Sequence, residues 1–157
     1  MTGIFESHAH YEDEAFDEDR DVLLKSLPEN GIKYVVDVGS SIDTCHKIIE
    51  LIPKWDYMYG ALGIHPEEIR TVTDEDMEWL RKEAAANGKI VAIGEIGLDY
   101  YWDTVSKEKQ LEVFQWQMDL AKKYDKPVII HCRDAYEDTY EVLKQNGHRG
   151  IMHCYSG

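Results

Sequence analysis

The chain has 157 residues, of which 43% are hydrophobic and 31% charged, with a formal net charge of −14 at pH 7. That size fits one domain with a real core; no apolar run nears the ~18 residues of a membrane span, and no basic-then-apolar leader opens the chain, so a cytoplasmic protein is expected. The acid excess argues against a wide, non-specific grip on phosphate backbones, which needs clustered Lys and Arg, but leaves open a nucleic-acid substrate met at a local cation.

Gly3–Ser7 reads as a short strand delivering His8-Ala9-His10. An acidic stretch leads into a helix around Asp17–Glu29, with Val22, Leu23, Leu24 and Leu27 as its apolar stripe. Lys33–Val38 is a second strand. Ser41 caps a helix carrying Ile42, Cys45, Ile48, Ile49 and Ile52, which Pro53 ends. Tyr57–Leu62 is a third strand, delivering Gly63-Ile64-His65-Pro66. Thr73, with Asp76 three residues on, caps a helix that buries Met77, Leu80 and Ala84 and stops at Asn87-Gly88.

A fourth strand opens the stretch Lys89–Trp102, where Ile90-Val91-Ala92-Ile93 is followed by Glu95 and Asp99 among glycines. Such an unbroken apolar run suits a parallel strand covered on both faces. A carboxylate at its end needs a partner, and a metal is the best one. Ser106 begins a helix to about Tyr124 with Leu111, Phe114, Met118 and Ala121 inward. Pro127–Ile130 is a fifth strand ending in His131. Asp134, with Glu137 three on, caps a helix facing Tyr140 and Leu143 inward and stopping at Asn146-Gly147. Gly150–Met152 is a sixth strand, ending in His153-Cys154-Tyr155-Ser156-Gly157.

Six strands in strict alternation with five helices mean βαβ units and a parallel sheet. A doubly wound sheet would need a phosphate loop or a switch-point crevice, and neither G-x-G-x-x-G nor a P-loop occurs. A TIM-type (β/α) barrel puts its chemistry at the carboxyl ends of several strands, where this chain sets His or Glu five times, so an α/β barrel is expected. Only about six of eight βα units are present; the first and sixth strands are then open edges that invite self-association. The cysteines, Cys45, Cys132 and Cys154, have no C-x-x-C spacing and read as reduced thiols. Cys132 and Cys154 each follow a histidine, so strand alternation predicts both as core filler under the helices.

The site-forming groups are two histidines at i and i+2, which share a face in extended chain, one carboxylate, and single histidines from later strands. A carboxylate can bridge two ions, and imidazole with carboxylate suits divalent metals. Two such ions generate a hydroxide and clamp a phosphate or carbonyl.

Ser7–His10 (SHAH), Gly63–Pro66 (GIHP), Gly94–Tyr101 (GEIGLDYY), Gln110–Ala121 (QLEVFQWQMDLA), Pro127–Ala135 (PVIIHCRDA) and His153–Gly157 (HCYSG) occur in this order. With them the whole chain resembles the TatD family of metal-dependent deoxyribonucleases, within the amidohydrolase-like barrels. The resemblance implies a hydrolase acting on DNA phosphodiesters with two divalent ions of the zinc, magnesium or manganese type. It implies that His8 and His10 hold one metal, that Glu95 is the bridging ligand at the catalytic centre, and that His131 and His153 complete the second. Arg133 is a candidate phosphate grip or an ion-pair partner of Asp134 or Asp99; His65 contacts substrate or makes a structural hydrogen bond; Asp99 orients a ligand or Arg133.

Glu6 stands where the family commonly has Asp before the first His, which implies an altered contact behind the ligands. The family's last essential Asp is expected after a later strand, beyond Gly157, so the His8–His10–Glu95 site is expected to lack one ligand and the chain to be weak or inactive by itself. Amide, ester or lactone hydrolysis by the same barrel, or a non-catalytic metal-binding assembly module, are the rival readings.

Overall fold

A run of apolar strands, each followed by a helix, can cover both of its faces only by pairing side by side in parallel under the helices. The computed structural model describes residues 3–155, so Ser156 and Gly157 of the last motif lie outside them. The strands are β1 (Ile4–Ala9), β2 (Ile32–Val38), β3 (Met58–Leu62), β4 (Ile90–Asp99), β5 (Val128–Arg133) and β6 (Gly150–Met152). They form one sheet in the order β1-β2-β3-β4-β5-β6, every neighbouring pair parallel. The sheet curls into a half-barrel, as the α/β barrel expectation requires.

The helices are α1 (Arg20–Ser26), α2 (Ile42–Leu51), α3 (Asp74–Ala86), α4 (Lys107–Lys123) and α5 (Tyr136–Asn146). None of the described helices is long and apolar enough to cross a membrane. The main core lies between helices and sheet and includes Leu24, Ile48, Leu80, Ile93, Phe114 and Met118. Strand alternation sends Val36, Val38, Ala61, Ala92 and Ile129 to the other side, where Tyr59 and Val91 pack on them. Ser41 and Thr73 cap as expected, each in a reciprocal box with Thr44 or Asp76.

Several local expectations fail. The first helix is only Arg20–Ser26: residues 17–19 are turn after a separate 3-10 helix at Glu14–Phe16, and Pro28 follows the C-cap Leu27. Arg20 Nη2 donates to the Asp13 carbonyl and to Asp17 Oδ1 and ties this acidic loop down. Val22 is 74% exposed; it lies about 160° round the helix from the Leu24 position, outside the stripe that Leu24 and Leu27 bury. Asp134 does not cap α5: its φ of 53° is left-handed, and Ala135 holds the cap position with no side-chain bond. Leu143 packs half-buried against the core as expected, beside the buried Thr139 and Val142, but Tyr140 is 61% exposed at the edge of that stripe. Of the cysteines only Cys45 is core; Cys132 is half-buried and Cys154 exposed. Cys154 lies past the end of β6 with φ 43°, so strand alternation does not govern it.

Candidate metal centre

β1 carries His8 within the strand and His10 one residue past its end. Glu95 was expected at the end of its strand, but β4 runs on to Asp99 and leaves Glu95 well inside it, 6% exposed. Pairing with β5 slips between Ile93 and Ile96, and Glu95 occupies the slip, its N–H donating to Gly39 O at 2.8 Å. Beyond it, Gly97 pairs with His131 at a φ of 143°. A Cβ at Gly97 would collide with the His131 carbonyl, so only glycine lets the two strands close here.

The two oxygens of Glu95 face different histidines. Oε2 lies 3.6 Å from His8 Nε2, and Oε1 lies 3.3 Å from His131 Nδ1. His8 Nε2 and His10 Nε2 are 3.0 Å apart. Asp99 Oδ2 accepts from His131 Nε2 at 2.9 Å. Three groups of ligand atoms therefore lie within 4.8 Å of one another among the described residues: His8, His10 and Glu95; His65, Glu95 and His131; and His65, Glu67 and Asp99. Glu95 belongs to the first two.

Burial sets the protonation of the cluster. It pushes His8 and His65 down to about 4, so both imidazoles are neutral at pH 7. Burial also works against the Glu95 carboxylate, but the His131 hydrogen bond and the neighbouring His65 and His8 outweigh it and hold the group at about 2. Burial likewise opposes charge on His131, yet its bonds to Glu95 and Asp99 raise it above the ordinary value. The hydrogen bond with Glu12 raises His10 in the same way.

These donors fit a divalent cation. An ion with bonds of ~2.1 Å to tetrahedral ligands sets those ligands about 3.4 Å apart, close to the 3.0 and 3.6 Å from His8 to His10 and Glu95. A neutral buried imidazole beside an ionised carboxylate is also the protonation state that metal binding needs. His8 Nδ1 is buried without a partner, so the polar contacts of the ring run through Nε2, to His10 and Glu95.

His65 behaves differently. Its Nδ1 accepts from the Glu67 N–H at 3.3 Å, which leaves the proton of the neutral ring on Nε2. That nitrogen can donate a hydrogen bond, while His65 also belongs to two of the three groups above. His153 falls outside the three groups but stacks face-on to His8, ring centroids 3.6 Å apart, while its backbone N–H donates to Ile130 O. Arg133 pairs with neither Asp99 nor Asp134. Its guanidinium carbon stands 3.7 Å above the Tyr101 ring, and among the described residues no carboxylate forms an ion pair with it. Glu6 Oε1 accepts from the His8 N–H at 3.2 Å, a contact behind the ligand.

Sequence reasoning overlooked two buried glutamines on α4. Gln117 Oε1 accepts from Ile64 N and its Nε2 donates to Ile64 O, fixing the residue before His65. Gln110 does the same to the N–H and carbonyl of Asp99. The signal was present: two polar residues seven apart share the apolar face of one helix.

The family model described as "TatD related DNase" matches residues 5–157. The "uncharacterized metal-dependent hydrolase YabD" of Bacillus subtilis is 41% identical over 157 residues, covering 98% of this chain and 61% of that protein. The "3'-5' ssDNA/RNA exonuclease TatD" of Cronobacter sakazakii is 30% identical over 147 residues, covering 90% of this chain and 55% of that one. The crystal structure of YjjV, a TatD homolog from Escherichia coli K12, superposes with a TM-score of 0.90 at 29% identity, over 98% of this chain and 61% of its own. The chain thus spans about three-fifths of the length of the curated relatives it matches.

Proposed function

Because the chain belongs to the TatD-related DNase family, we propose that it carries the two-metal centre of a hydrolase that cuts phosphodiester bonds in DNA, single strands included. One observation carries the reading: the two oxygens of a single buried carboxylate, Glu95, are each met by a different histidine. A lone structural salt bridge does not need that arrangement, and a bridging ligand does.

His8, His10 and Glu95 Oε2 would hold one cation; Glu95 Oε1, His131 and His153 would hold the other. Divalent cations there supply Lewis acidity toward phosphoryl oxygens and lower the pKa of water. The protein does the rest. Asp99 accepts the Nε2 proton of His131 and so leaves Nδ1, on the Glu95 side, as the nitrogen that would meet a cation once its own proton is displaced. His65, neutral with its proton on Nε2, donates a hydrogen bond to a non-bridging oxygen of the substrate phosphate. The single-strand substrate class is supported by the exonuclease relative's name. The dense negative charge of the chain keeps affinity for nucleic acid confined to this local site.

Elemental analysis of protein purified without chelator, beside a Glu95→Gln variant, tests the reading together with cleavage of end-labelled single-stranded DNA. One or two divalent ions per chain, lost in the variant together with any cleavage, are expected. No bound ion in either protein, or cleavage undiminished by Glu95→Gln, overturns it.

A further inference from the structure

Immediately after Asp99 the chain places Tyr100, Tyr101 and Trp102. Tyr101 and Trp102 are 53% and 46% exposed. Burying such rings would stabilise the fold, so leaving two large aromatics in water beside the metal ligands calls for another reason. They are held in place. Asp99 Oδ1 accepts from the N–H groups of Tyr101 and Trp102 at 3.0 and 3.3 Å, while its other oxygen holds His131. The two rings meet edge to face at 89°, centroids 4.7 Å apart.

Arg133 completes the group. It stands opposite Asp99 in the β4–β5 register, two residues past His131. Its guanidinium carbon is 3.7 Å from the Tyr101 centroid and 5.7 Å from that of Trp102. A guanidinium stacked on a ring keeps its N–H groups in its own plane, free to take a phosphate by two parallel bonds. With no ion-pair partner among the described residues, the Arg133 charge is available to a phosphate.

We infer that Tyr101, Trp102 and Arg133 form a nucleotide-binding platform beside the metal centre, the rings stacking a base and the guanidinium gripping a phosphate of the single strand that flanks the bond to be cut. The inference rests on the nucleic-acid reading above and deepens it. Stacking is indifferent to base identity, because every base has a π-face, so the platform favours single strands over duplex without selecting sequence. Asp99 couples the two halves of the site: the carboxylate that orients His131 also sets the position of the platform.

The test is anisotropy of a fluorescein-labelled phosphorothioate oligothymidylate, which resists hydrolysis, against metal-loaded protein, with an abasic oligonucleotide of equal length as control. Trp102→Ala and Tyr101→Ala are expected to weaken binding of the base-bearing strand about tenfold, and the abasic strand less than about twofold. Trp102→Phe restores binding. Arg133→Ala weakens both strands alike and flattens the salt dependence, and Arg133→Lys does not restore it. Equal losses on both strands for Trp102→Ala, or no loss on either, overturn the platform while parent binding leaves the nucleic-acid reading standing. No binding of either strand by the parent chain overturns both.

Discussion

Asp99 Oδ2 and His131 Nε2 lie 2.9 Å apart, and this bond decides which nitrogen of His131 is open. With Nε2 committed to Asp99, Nδ1 is the nitrogen open to a cation; without one it donates to Glu95 Oε1 at 3.3 Å, and a cation would displace that proton. Replacing Asp99 by Asn removes the negative acceptor and frees the ring to change tautomer. Metal affinity is expected to fall about 10–100-fold. Competition with a chromogenic chelator measures it, and an unchanged affinity would show that the bond is incidental.

His65 and His153 are expected to separate. His153→Ala loses about one ion per chain by elemental analysis. His65→Ala keeps its ions and loses turnover, by about 10²-fold in kcat, as for removal of one hydrogen-bond donor to developing charge. The opposite split would exchange their roles.

Gln117 matches both backbone groups of Ile64 from a neighbouring helix. Gln117→Leu keeps the volume and leaves a buried N–H and a buried carbonyl unpaired, at about 1–3 kcal/mol each. Urea unfolding is expected to show a loss of about 2–6 kcal/mol, with an unchanged slope against denaturant.

Asp37 is fully buried; Oδ1 accepts from the Tyr11 N–H at 2.7 Å, and Oδ2 has no partner. Burial, with Glu12 nearby, pushes its carboxyl up to about 7. The folded state therefore binds a proton that the unfolded chain has released above its ordinary value near 4. Stability conferred by that proton is present at low pH and is lost as pH rises through about 7. In chelator-treated protein, Asp37→Asn is expected to flatten the decline in Tm between pH 5 and 8 and to exceed the parent at pH 8. A parallel decline in both proteins would refute the assignment.

The strand order was legible because each apolar run is bounded by turn residues and followed by helical spacing; β6 matches its expected limits residue for residue. The caps at Ser41 and Thr73 were legible because their partners are local, three residues on. Asp134-x-x-Glu137 has the same local pattern, but its backbone turns left-handed where β5 hands over to α5, a tertiary demand that local pairing does not encode. Glu95 was singled out from its chemistry, although its place inside β4 depends on a register slip against β5 that no local pattern shows. The glutamines of α4 were overlooked because their partners, Ile64 and Asp99, lie on other elements.

The strands neighbour one another in the order in which they occur along the chain. This has a consequence in time. A ribosome delivering the chain from its amino end releases each strand beside a partner already made, so the scaffold can grow one unit at a time. The candidate metal centre cannot grow that way. His8 and His10 emerge first, with nothing to meet until Glu95 arrives about eighty-five residues later, His131 after that and His153 later still. The nascent protein acquires its shape gradually and its chemistry abruptly.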